Sequence, residues 1–165
     1  MASTYTPIQT QTLGSAQASV TFSSIPSTYT DLRLVITTTN NSPATSNLQI
    51  QFNGDTGSNY SYTRLLGDGS SASSSRGATQ TAGAIGYYAD DANDFGTFTS
   101  DIMNYSNATT YKTVIARGSA ASVMVSAYVS LWSSTAAITS LLVKNSSAVN
   151  FKAGSTFTLY GIAAA

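Results

Sequence analysis

Apolar and polar residues alternate along this chain. From Asn47 to Asn53, Leu48, Ile50 and Phe52 point one way while Gln49 and Gln51 point the other. Leu32, Leu34 and Ile36 alternate with Arg33 and Val35, and Val20 with Phe22 continues the habit nearer the N-terminus. A period of two is the signature of a strand with one buried face, and it is incompatible with the 3.6-residue stripe of an amphipathic helix. The chain is therefore restricted to sheets.

Further runs carry β-branched and aromatic residues at strand-like lengths: Tyr60 to Leu66, Thr79 to Tyr88, Thr97 to Asn104, Tyr111 to Arg117, Val123 to Trp132, Ile138 to Lys144 and Thr156 to Ile162. With the earlier runs they make about ten strands. Glycine-containing turns separate them, among them Asn53-Gly54-Asp55, Gly67-Asp68-Gly69 and Ala153-Gly154-Ser155. Many short strands without intervening helices predict an all-β fold, a single antiparallel β-sandwich of jelly-roll type. The 165 residues, 42% of them hydrophobic, suit one domain with one core. We expect residues 1–12 to form an extended N-terminal arm and residues 13–165 the sandwich. Asp68 to Gly77 is of low complexity and reads as a mobile surface loop.

The residue inventory argues against catalysis. Histidine, cysteine and glutamate are all absent, which removes the commonest general base, the thiolates and a usual partner in carboxylate pairs. No ordinary serine triad can form, and neither a G-x-S-x-G elbow nor a phosphate-binding loop is present. We expect no enzyme activity and no cofactor. All seven acids are aspartates, and most sit beside Gly or Asn in turns, where their side chains bond the local backbone. Asp90, Asp91 and Asp94 are close enough in sequence to suggest a calcium loop, but the spacing and bidentate glutamate of an EF-hand are missing. Asp91, Asp94 and Asp101 offer carboxylates for glycoside cleavage, with nothing in the sequence to set their separation.

Only 8% of residues are charged and the net charge is +0, far below the charge density of an ordinary soluble domain. Seven scattered basic residues do not form a stripe for nucleic acid. No apolar run approaches the ~18 residues of a membrane span, and no basic region precedes an apolar stretch at the N-terminus, so neither membrane insertion nor Sec export is expected. A Ser/Thr/Asn surface gives little repulsion between copies, which suits a protein made to assemble. Among the ten tyrosines and the one tryptophan, Tyr87, Tyr88 and Trp132 offer rings for sugar stacking; cross-strand packing is the plainer reading for aromatic residues in strands.

Four phrases carry a family likeness: Thr12-Leu13-Gly14-Ser15 leading to Ser19-Val20-Thr21-Phe22-Ser23-Ser24-Ile25-Pro26, then Tyr29-Thr30-Asp31-Leu32, then Phe52-Asn53-Gly54-Asp55-Thr56-Gly57-Ser58-Asn59-Tyr60, and Gly154-Ser155-Thr156-Phe157-Thr158-Leu159-Tyr160-Gly161-Ile162. Together they resemble a family of tailed-bacteriophage virion proteins. The resemblance implies a β-sandwich subunit of the particle, with no catalytic residues to transfer. Its expected role is a capsid decoration, or cement, protein: a homotrimer on the virion surface that stabilises the shell by binding the major capsid protein. The alternative is a tail fibre or tail-tip module that binds a receptor or glycan. Under the capsid reading, contacts are expected from Thr4, Tyr5, Pro7 and Ile8 of the arm, and from the loops Gly67 to Gly77 and Ala89 to Gly96.

Overall fold

In the computed structural model, residues 4–41, 45–88, 94–120, 123–147 and 149–163 are described. They form the strands β1 (Tyr5–Thr12), β2 (Ser19–Phe22), β3 (Asp31–Thr38), β4 (Ser46–Phe52), β5 (Tyr60–Gly67), β6 (Ala72–Gln80), β7 (Gly83–Tyr88), β8 (Gly96–Ile102), β9 (Lys112–Ala120), β10 (Met124–Trp132), β11 (Leu141–Asn145) and β12 (Thr156–Ile162). Every pairing is antiparallel. One sheet has eight strands in the order β1-β12-β3-β8-β9-β10-β5-β6, and the other has four in the order β2-β11-β4-β7. The chain crosses repeatedly between the two sheets, as in a jelly roll, with β8, β9 and β10 forming a meander inside the larger sheet.

Twelve strands stand where the sequence suggests about ten. Within the segment expected as an N-terminal arm, residues 5–12 are the edge strand β1 of the larger sheet, paired with β12. Asp68 to Gly77 is not a loop throughout, because from Ala72 onward it is β6, paired with β5 at the opposite edge. An edge strand with both faces near solvent needs no alternation, so a serine-rich run can pair through its backbone without an apolar signal. The sequence run Thr79 to Tyr88 is divided, its first residues ending β6 and the rest forming β7.

Between the sheets lies one core. Leu32, Leu34 and Ile36 of β3 and Phe157 and Leu159 of β12 face Val20, Phe22, Leu48, Ile50, Leu141 and Val143 of the smaller sheet, all essentially inaccessible. At one end the two sheets are clasped by polar groups: Arg64 Nη1 and the Tyr128 hydroxyl both donate to Asn47 Oδ1, at 3.0 and 3.1 Å, and the Arg64 guanidinium lies 5.2 Å from the centre of the Tyr87 ring. At the other end Lys112 is fully buried, and its Nζ donates to the carbonyls of Thr110 and Thr135 at 2.6 and 3.2 Å. Desolvation pushes its pKa down. Those carbonyls tie the connections on either side of β9 and β10 together.

Glycine is required around Phe98. A Cβ on Gly86, Gly96 or Gly118 would strike the Phe98 ring, most severely from Gly118, the cross-strand partner of Phe98 on β9. Phe98 is thus seated by what its neighbours lack. Gly118→Ala should lower the unfolding free energy by about 1–3 kcal/mol through overpacking. Gly14→Ala, where nothing lies within 4 Å of the new atom, should stay within about 0.5 kcal/mol. Urea titration of both variants checks the contrast.

Candidate functional site

The residues singled out for chemistry do not converge among the described residues. No group of three His, Cys, Asp or Glu side chains is placed to hold a metal there. Asp90 and Asp91 lie outside the described residues, and so does most of the loop Ala89 to Gly96; Asp94, at its far end, is half-buried. Asp101 sits on β8 and accepts a forked pair of bonds from Arg33 on β3, Nε to Oδ1 at 2.6 Å and Nη2 to Oδ2 at 2.9 Å. The hydrogen bond that Arg33 donates to Asp101 is the chief reason the Arg33 pKa is raised. Trp132 is buried between the sheets at 2% exposure and offers no face to a sugar. Tyr87 is half-buried beneath Arg64. No helix among the described residues is long and apolar enough to cross a membrane.

The first and second phrases each meet the last, the third meets Trp132 and residues 137–140, and their work is structural. The Leu13 amide donates to the Ser155 carbonyl at 2.9 Å and the Gly154 amide to the Leu13 carbonyl at 2.7 Å, joining the first phrase to the last. Tyr29 lies so close to Gly161 that any side chain there would collide with its ring. In the third phrase, Asn53 Oδ1 accepts from the amides of Thr139 and Ser140, while its Nδ2 donates to the Ala137 carbonyl. Asp55 Oδ2 accepts from Trp132 Nε1 at 2.7 Å, and Asp55 also takes bonds from Asn59 Nδ2 and the Gly57 amide. The Tyr60 hydroxyl accepts from the Phe52 amide and donates to the Asp55 carbonyl, at 2.9 and 3.3 Å, and burial pushes its pKa up to about 12.

The arm residues split between two faces. The Thr4 carbonyl accepts from the Ala163 amide, which fastens the start of β1 to the end of β12. Ile8 packs against the core. Tyr5 and Pro7 stand on the outer face, where the Tyr5 ring meets Tyr160 edge-on at 6.5 Å between centres and its hydroxyl accepts from Arg33 Nη1 at 2.9 Å.

That outer face of the eight-stranded sheet holds the most unusual surface. On β10 the core side carries Ser126, Tyr128, Ser130 and Trp132, all buried. The aliphatic residues point outward: Val125 is 61% and Val129 52% exposed, with Ala127 between them. The inward serines are satisfied, Ser126 by the Gly118 carbonyl at 3.2 Å and Ser130 by the Ala84 carbonyl at 2.6 Å. Beside them Ile115 on β9 is 52% and Leu65 on β5 61% exposed. Register places Val129 between Ile115 and Thr63, and Ala127 between Arg117 and Leu65. These side chains floor a depression of about 450 Å³ whose walls include Arg117, Thr99 and the Arg33–Asp101 pair. Sequence reasoning did not single out this patch; the available signal was that both faces of β10 carry large or apolar side chains.

No protein-family model matches the chain, and no curated protein is significantly similar to it in sequence.

Asp55 tests the structural reading of the phrases. Its pKa is held below the ordinary carboxylate value, first by the Trp132 hydrogen bond and then by Asn59. A depressed folded-state pKa contributes stability that is complete above the unfolded value near 4 and lost as pH falls through the lower folded value. Asp55→Ala should therefore cost about 1–3 kcal/mol at neutral pH by stranding the indole N–H, and should flatten the acid limb of stability. Asp55→Asn, which keeps an acceptor oxygen, should cost less. Thermal unfolding between pH 3 and 7 measures all three proteins.

Proposed function

We propose that this chain is a structural subunit of a bacteriophage virion, a capsid decoration protein that seats on the shell through the outer face of its eight-stranded sheet. The observation that carries the reading is the orientation of β10, which turns Val125, Ala127 and Val129 to solvent while burying two serines. Exposed aliphatic surface is unfavourable in water by about 25 cal/mol per Å². Three strands spaced about 4.8 Å apart, over some 20 Å of length, present roughly 300 Å², a size at which an exposed apolar patch is often functional. The sparse charge lets copies crowd without strong repulsion, and a repeating shell multiplies modest contacts. The resemblance of the four phrases to phage virion proteins supplies the setting.

Cryo-electron microscopy of the phage particle that contains this chain tests the proposal. The expected map shows its sandwich on the outside of the shell, with β5, β10 and β9 toward the major capsid protein. Density on the tail alone, or none on the particle, would refute it.

A further inference from the structure

Resting on the virion reading, we infer that the partner surface seated on this face is apolar at its centre and carries carboxylates that pair with Arg117 and Arg76. The chain has four arginines. Arg33 is neutralised by Asp101, and Arg64 is engaged with Ser75 and Asn47 inside the clasp. The remaining two are both exposed, and among the described residues neither has an ion-pair or hydrogen-bond partner. Both stand on the outer face of the larger sheet. Arg117 lies between Thr99 and Ala127 in the cross-strand register, and Arg76 lies opposite Thr63. They bracket the apolar floor from β9 and from β6, three strand spacings apart, or roughly 15 Å.

A second copy of this chain does not match that pattern. Two acids border this face: Asp101, held by Arg33 through two bonds, and Asp68 near Val125, whose carboxylate accepts from the amides and hydroxyls of Ser70 and Ser71. Two such faces brought together would set unpaired guanidiniums against each other, with both of these carboxylates already engaged within their own chain. Like charges within an interface cost affinity and act against the wrong partner, whereas opposite charges steer and align the right one. The complementary occupant is a different protein chain, with aliphatic or aromatic side chains to fill the depression and Asp or Glu on either side. Arginine forms forked bonds with carboxylates that lysine cannot, so the two positions also fix orientation.

The test uses intact particles and particles assembled without this chain. Arg117→Glu combined with Arg76→Glu should reduce the copies bound per particle at least tenfold. Thr21→Glu, the same type of charge placed on exposed β2 of the other sheet, should leave occupancy within twofold. Arg117→Lys should fall between wild type and the double variant, and all variants should melt like wild type because the altered side chains are exposed. A photo-crosslinking amino acid at position 129 should then join the chain to a segment of a shell protein that contains Asp or Glu. Occupancy of the double variant within twofold of wild type overturns the inference, as does crosslinking to a second copy or to a segment without acids. Those results leave the virion reading standing, while absence of the wild-type chain from the shell overturns both.

Discussion

Trp132 decides which way the larger sheet faces. Its ring packs 5.4 Å from Phe52 of the smaller sheet and 6.3 Å from Tyr60 on the neighbouring strand, and Asp55 takes its N–H. With Trp132 inside, the pleat sends Tyr128, Ser130 and Ser126 inside as well, and sends Val129, Ala127 and Val125 out. Cross-strand register carries the decision sideways. Ile115 and Leu65 face outward with the β10 valines, while Val114, Ala116 and Tyr60 face inward with Trp132. A slip of one residue in β10 would bury the valines and expose an indole, a phenol and two hydroxyls, forfeiting the aromatic cluster and its hydrogen bonds. The apolar outer face is thus a consequence of how the core is filled.

The strands that alternate cleanly are legible in sequence because one face of each is polar. β3 and β12 are of this kind, and Leu32, Leu34, Ile36, Phe157 and Leu159 are buried where the period places them. β1 and β6 are not legible, since edge strands pair through the backbone and leave their side chains largely in water. β10 is legible as a strand but not as an orientation. Its two faces, Val-Ala-Val-Leu and Ser-Tyr-Ser-Trp, are both able to go inside, and the choice depends on Phe52 and Asp55, far away in the chain. The turn chemistry of Asn53 to Tyr60 can be read locally, whereas its real task is to receive Trp132 across 77 residues.

The same long-range dependence hides the candidate surface. Leu65, Ile115, Val125 and Val129 belong to three strands and gain meaning only when the register sets them side by side. Arg76 and Arg117 are 41 positions apart by their numbers and look like two more scattered bases until the sheet puts both on one face. In a chain with so little charge, that placement is a larger departure from even spreading than it would be on an ordinary surface.

Energetics then separates the roles of the two features. Burying roughly 300 Å² of the face at about 25 cal/mol per Å² yields about 7 kcal/mol in gross terms. Association itself costs about 4–15 kcal/mol in lost translational and rotational freedom. The apolar patch alone therefore brings a single copy near balance, without strong preference for one apolar partner over another. Two guanidiniums that meet carboxylates add directional bonds at defined places, and those bonds supply the orientation and selectivity that the aliphatic floor lacks. On the proposed shell each copy could then stay modest in affinity, because with many equivalent positions the number of contacts, and not the strength of any one, determines how firmly a layer holds.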